Sequence, residues 1–165
     1  MVFIDLPNVT SAAMGFGIYR INFVGLAEVV SADTNRVGLN VYAKDAQTRH
    51  NFFLQLEKLG FHVERVSPGK SVDGRLIFHM LLGAHNGEYD TAILLSGDRD
   101  YIHVVEAVKR MNKEVTVASF STAINPGLKN TATKFIKLDD FVDKIRLQGP
   151  TPPASQTIAQ TPTAS

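Results

Sequence analysis

Short apolar runs alternate with amphipathic stretches along most of the chain, the pattern of repeated strand–helix units around a mostly parallel sheet. A first strand is predicted at about 1–6, followed by a helix over roughly 12–31. "RVGLNVYAK" (36–44) predicts the second strand, "DAQTRHNFFLQLEKLG" a helix over about 45–59 that stops at Gly60, and "FHVERV" (61–66) the third strand. A helix at 72–86, a strand "TAILLS" at 91–96, the helix "DYIHVVEAVKRMN" and a strand at 114–120 continue the alternation. A short helix near 124–132, an edge strand "KFIK" and a last helix at 138–146 close it. Beyond Leu147 the pattern stops: residues 148–165 carry no charge and hold four of the seven prolines. We therefore expect one α/β domain over 1–147 and a disordered Pro/Thr-rich tail over 148–165.

Length and composition narrow this picture. With 165 residues, 44% of them hydrophobic, the chain suffices for one domain with a full core and not for two. The absence of cysteine excludes disulfides and thiolate metal sites, so any metal must be held by oxygen or imidazole. No apolar stretch approaches the roughly 20 residues of a membrane span, and a soluble, cytoplasmic protein without a membrane partner is expected. The net charge of +1 gives no polyanion signal, so a nucleic-acid surface would have to come from how the 17 Lys and Arg are distributed.

Open sheets of this kind place their sites beyond the carboxyl ends of the strands, at a topological switch point. Strand one ends in Asp5, with Asn8 three residues later; strand four runs into Ser96, Gly97, Asp98 and Asp100; the helix after strand three begins with Asp73. Each acid has a local explanation as a cap or as a first-turn charge favoured by the helix dipole. Four carboxylates from three segments at one rim nevertheless repel one another, and desolvation sharpens the repulsion unless a cation neutralises it. Cap, metal site, or both at once are the open answers. Hard oxygen ligands without cysteine favour Mg2+ or Mn2+ as the metal.

The stretches "FIDLPNV", "GKSVDGRLIFHML", "YDTAILLSGDRDYIHVVEAVKRMNKEVTVASF" and "LKNTATKFIKLDDF" resemble the NYN domains, specifically the LabA-like branch of the PIN-like nuclease superfamily, over about residues 2–142. The most specific piece is Ser96-Gly97-Asp98-Arg99-Asp100-Tyr101 directly after an apolar strand. The resemblance implies a Rossmann-like (PIN-like) three-layer sandwich with five to six strands, an acidic cluster binding magnesium or manganese, and cleavage of RNA; it is compatible with a homodimer. By resemblance, Asp5, Asp73, Asp98 and Asp100 match the catalytic, metal-binding acids, and Asn8 the asparagine after the first of them. Several positions depart from the pattern. Leu6 and Pro7 stand where glycine usually follows the first aspartate, in what is expected to be a loop. His79 stands where a further aspartate is common, His103 where proline is common, and Thr133 where an acid is frequent. Six residues on a helix fall about 120° apart, so His79 and Asp73 do not share one face.

The expected chemistry is hydrolysis of RNA phosphodiester bonds by a metal-activated water. Asn8 and Ser96 are candidates to orient the carboxylates or a water. Lys70 and Arg99 are candidates for substrate phosphates, with Lys44 and Arg65 near the same rim. Tyr101 is expected to be core or to stack on a base. "SGD" lacks the nucleophile-elbow pattern that would make Ser96 an acyl-transfer nucleophile, and "SPGKS" falls short of a phosphate-binding loop. Two alternatives stand beside the nuclease: a non-catalytic RNA- or protein-binding module on the same fold, and another magnesium-dependent phosphotransfer enzyme. Leu6-Pro7 after Asp5 argues against the haloacid-dehalogenase form of the latter, which needs Asp-x-Asp there.

Overall fold

The computed structural model describes residues 1–34 and 37–148, so the tail expected over 148–165 lies outside the described residues except for Gln148. Six strands form one all-parallel sheet: β1 (Val2–Asp5), β2 (Leu39–Lys44), β3 (His62–Val66), β4 (Thr91–Leu95), β5 (Glu114–Ser119) and β6 (Lys134–Lys137), in the order β3-β2-β1-β4-β5-β6. Helices α1 (Leu6–Gly15), α2 (Phe23–Ser31), α3 (His50–Lys58) and α7 (Val142–Ile145) accompany one face; α4 (Val72–Asn86), α5 (Ile102–Arg110) and α6 (Pro126–Thr131) accompany the other. This is the three-layer α/β sandwich expected from the alternation, with every strand pairing parallel.

Burial on both faces explains the composition of the strands. All four residues of β1 are buried, and they alternate between the two cores: Val2 and Ile4 pack with α1, α2 and α3, while Phe3 packs with Tyr42, Leu76 and Leu94 under α4. The register aligns Asp5 with Tyr42 of β2 and Ile4 with Leu95 of β4. The last residue of β1 and the segment after β4 therefore emerge side by side at the same rim.

One expected helix over 12–31 is two. α1 starts at Leu6, directly after β1, and ends at Gly15; α2 starts at Phe23 with the Asn22 side chain accepting from the Gly25 N–H at 3.2 Å. Gly17 takes φ +69°, a conformation that L side chains avoid. The chain then passes the buried Ile18 and bridges Ile21 to Arg146 antiparallel, with Leu147 N–H donating to the Arg20 carbonyl at 2.9 Å. Tertiary pairing with the end of the chain outweighs the helical periodicity of this stretch. The helix expected from Asp100 likewise begins as a 3-10 turn (Arg99–Tyr101) before α5.

Candidate active site

The connection from β1 leads to β2 on one side, whereas β4 lies on the other, so the crevice between the ends of β1 and β4 is the switch point of the sheet. Asp5 sits there at 3% exposure. It is both the last residue of its strand and the N-cap of α1, its Oδ1 accepting the Asn8 N–H at 3.1 Å. Leu6 and Pro7 thus form the first turn of α1 and not the loop expected of them, since proline is well suited to a helical position whose N–H has no partner. This tight start fixes Asn8, whose Oδ1 accepts the Gly97 N–H at 2.9 Å and ties α1 to the segment after β4.

Around Asp5 the other groups assemble from three elements. Ser96 Oγ donates to Asp5 Oδ2 at 3.2 Å and accepts the Asp98 N–H at 3.2 Å. The Tyr101 hydroxyl lies 3.1 Å from Asp5 Oδ2 and 3.3 Å from Asp73 Oδ1, in the first turn of α4. It has one proton for two carboxylates. Burial pushes the Asp5 carboxyl above its ordinary range, and the charge of Asp73 pushes the same way; hydrogen bonds from Asn8, Tyr101 and Ser96 offset part of the shift. Burial and the same two acids raise the Tyr101 phenol, which remains a donor. Sequence reasoning missed this bridge, although a tyrosine in place of phenylalanine at a buried position signals a hydroxyl that needs a partner.

Asp98 caps the 3-10 turn, accepting the Asp100 N–H at 3.0 Å. Asp100 lies outside the network: its side chain is 68% exposed and its carboxylate meets the Arg99 guanidinium at 3.8 Å. The structure thus joins the carboxylates of Asp5 and Asp73 through the Tyr101 hydroxyl, ties Asp98 to Asp5 only by its backbone N–H through Ser96, and leaves Asp100 on the solvent side. Arg99 is the local partner of Asp100. Among the described residues no Lys or Arg forms an ion pair with Asp5, Asp73 or Asp98. Among the same residues, no three His, Asp or Glu side chains stand together as a ready metal cage.

Gly97 is required by space. A Cβ there would lie 2.1 Å from the Ala123 carbonyl oxygen and 2.9 Å from Ser119 Oγ. The Gly97 carbonyl also accepts the Asn125 N–H at 2.9 Å, so the turn is pinned on both sides. His79 is held elsewhere, its Nδ1 3.0 Å from the Tyr42 hydroxyl; burial first and the Arg75 charge second lower its pKa. His103 faces Glu106 at 3.5 Å, and Thr133 Oγ1 accepts the Val115 N–H at 3.2 Å. Lys44 Nζ donates to the Lys70 carbonyl, and Arg65 pairs with Glu57 at 2.7 Å.

The donor set is entirely hard oxygen, and two carboxylates, one of them buried, that face a single phenolic proton are the electrostatic setting that a small divalent cation relieves. No helix among the described residues is long and apolar enough to cross a membrane. The crystal structure of VPA0982, a protein of unknown function from Vibrio parahaemolyticus RIMD 2210633, is similar in fold, with a TM-score of 0.73 and 23% identity, covering 88% of this chain and 94% of that one. No curated protein matches the chain. The NYN domain model matches residues 1–139, across the whole sheet and every residue of the acidic network, and the chain belongs to the NYN domain family.

Proposed function

We propose that this NYN domain is a metal-dependent endoribonuclease of the LabA-like branch, hydrolysing RNA at the crevice between β1 and β4. One observation carries the reading: Asp5 and Asp73 share the Tyr101 hydroxyl, and among the described residues no cationic side chain is in ion-pair contact with either. Asp5, Asp73 and Asp98 would hold magnesium or manganese, with Asp100 at the solvent edge. The bound ion would supply charge neutralisation at the phosphate and a more acidic water. The chain's own groups do the rest. Ser96 and Tyr101 orient Asp5, Asn8 locks the turn that presents Asp98, and Lys70 and Arg99 are available to phosphates beside the scissile bond. Hydrolysis joins the water oxygen to phosphorus and breaks the bond to the 3′ oxygen, leaving 5′-phosphate and 3′-hydroxyl ends.

A non-catalytic RNA-binding module is the second reading, favoured by the outward position of Asp100 and by the spacing of the acids. Incubating labelled single-stranded RNA, matching DNA and a phosphate monoester with the protein in manganese, magnesium or EDTA separates the two. We expect RNA fragments with 5′-phosphate ends that require metal. Binding without cleavage in any metal supports the module, and cleavage that persists in EDTA overturns the metal mechanism.

A further inference from the structure

We infer that the groove between the end of β3 and the first half of α4 binds single-stranded nucleic acid, with Phe78 as the platform on which one base stacks; the inference rests on reading the adjacent acids as a cleavage site. The groove has a volume of about 480 Å3 and is lined by Glu64, Arg65, Lys70, Ser71, Arg75 and Phe78, among others, so three cationic side chains face one acid. Ser71 and Gly74 both line it, and Asp73, the residue before Gly74 on the first turn of α4, sends its carboxylate to Tyr101. A strand lying in the groove would therefore run toward the acidic network along the same rim.

The chemistry of the lining suits a nucleic acid better than a protein. Phe78 is 53% exposed, a cost without a partner, and the Arg75 guanidinium lies over its ring at 5.9 Å. Arg75 is itself fixed by Glu64, Nε to Oε1 at 2.7 Å, which holds the guanidinium beside the ring. Lys70 lines the groove and forms no ion pair among the described residues, and Lys44 from β2 donates to its carbonyl. An exposed aromatic in one groove with a lysine that forms no ion pair among the described residues is the combination that holds a single strand: bases stack and phosphates meet cations. The amino end of the fifteen-residue α4 adds the positive end of its dipole to the same wall.

Fluorescence anisotropy with a short labelled oligoadenylate in EDTA tests the groove without turnover. Wild type is expected to bind, Phe78→Ala to bind about tenfold more weakly, and Phe78→Trp to restore affinity. Lys70→Gln should lower the slope of log affinity against log salt by about 0.7, the loss of one phosphate contact on a single strand. Tyr19→Ala, which removes another exposed aromatic (79% exposed) outside the groove, should bind as wild type. No binding by wild type, wild-type affinity in Phe78→Ala, or equal losses in Phe78→Ala and Tyr19→Ala overturns the inference. The reading of the acids fails separately, if Asp98→Asn cleaves RNA at the wild-type rate while the groove variants still lose affinity.

Discussion

Tyr101 illustrates how a single hydroxyl alters what a buried ring does. Its ring belongs to the core under α4 and α5, while its oxygen joins Asp5 to Asp73. Tyr101→Phe keeps the packing and removes the bridge, so metal affinity should fall by about tenfold with the fold intact, as read by manganese titration beside a thermal melt. Gly97→Ala drives a Cβ into the Ala123 carbonyl, and a loss of roughly 1–3 kcal/mol in denaturant unfolding is expected. His79→Ala, which removes the contacts to Tyr42 and to the Phe78 ring and none to the acids, should leave cleavage within about twofold of wild type. At this scale the acids were legible because aspartate at the end of an apolar strand stands out in the sequence. The bridging role of Tyr101 and the outward turn of Asp100 were not, because both depend on side-chain directions that residue spacing does not specify.

The elements were legible where their boundaries are set locally. α4 was expected at 72–86 and spans those residues, because Ser71 caps its start and Gly87, with φ +70°, ends it. The stretch from Leu6 to Ser31 was misread because its break depends on a distant partner: residues 20–22 pair with 145–147 across the length of the chain. The start of α1 was missed for a related reason, since Asp5 ends a strand and caps a helix with no residue between. The junction makes a prediction of its own. A Cβ at Gly25 would meet the Lys144 carbonyl oxygen at 2.2 Å, so Gly25→Ala should force α2 from α7 and cost roughly 1–3 kcal/mol, although alanine favours a helix. Equal or higher stability by urea unfolding would show that this contact yields easily.

Across the whole molecule, the order of the sheet converts distance in sequence into proximity: residues 5 and 73 meet at Tyr101, and the segment carrying Asp98 reaches Asp5 through Ser96, because β1 and β4 are neighbours and α4 crosses over them. The fold tolerates a destabilised group there. Asp5 has its folded-state pKa raised above the ordinary aspartate value of 3.8, so the stability its protonated form contributes is full below that pH and is lost as pH rises through the folded value. Asp5→Asn removes the charge and keeps an acceptor for the Asn8 N–H. The metal-free variant should therefore gain stability relative to wild type as pH rises from the acid range toward 7, seen as a growing difference in urea midpoint. A difference that is flat with pH would place the charge in a better-solvated setting. The most direct measurement of the central claim is manganese binding at neutral pH, followed by loss of the free-ion paramagnetic signal. Wild type should deplete that signal, while Asp5→Asn and Asp98→Asn, both folded, should bind about tenfold or more weakly; variants that bind manganese as wild type does would contradict the assignment of these carboxylates as the metal site.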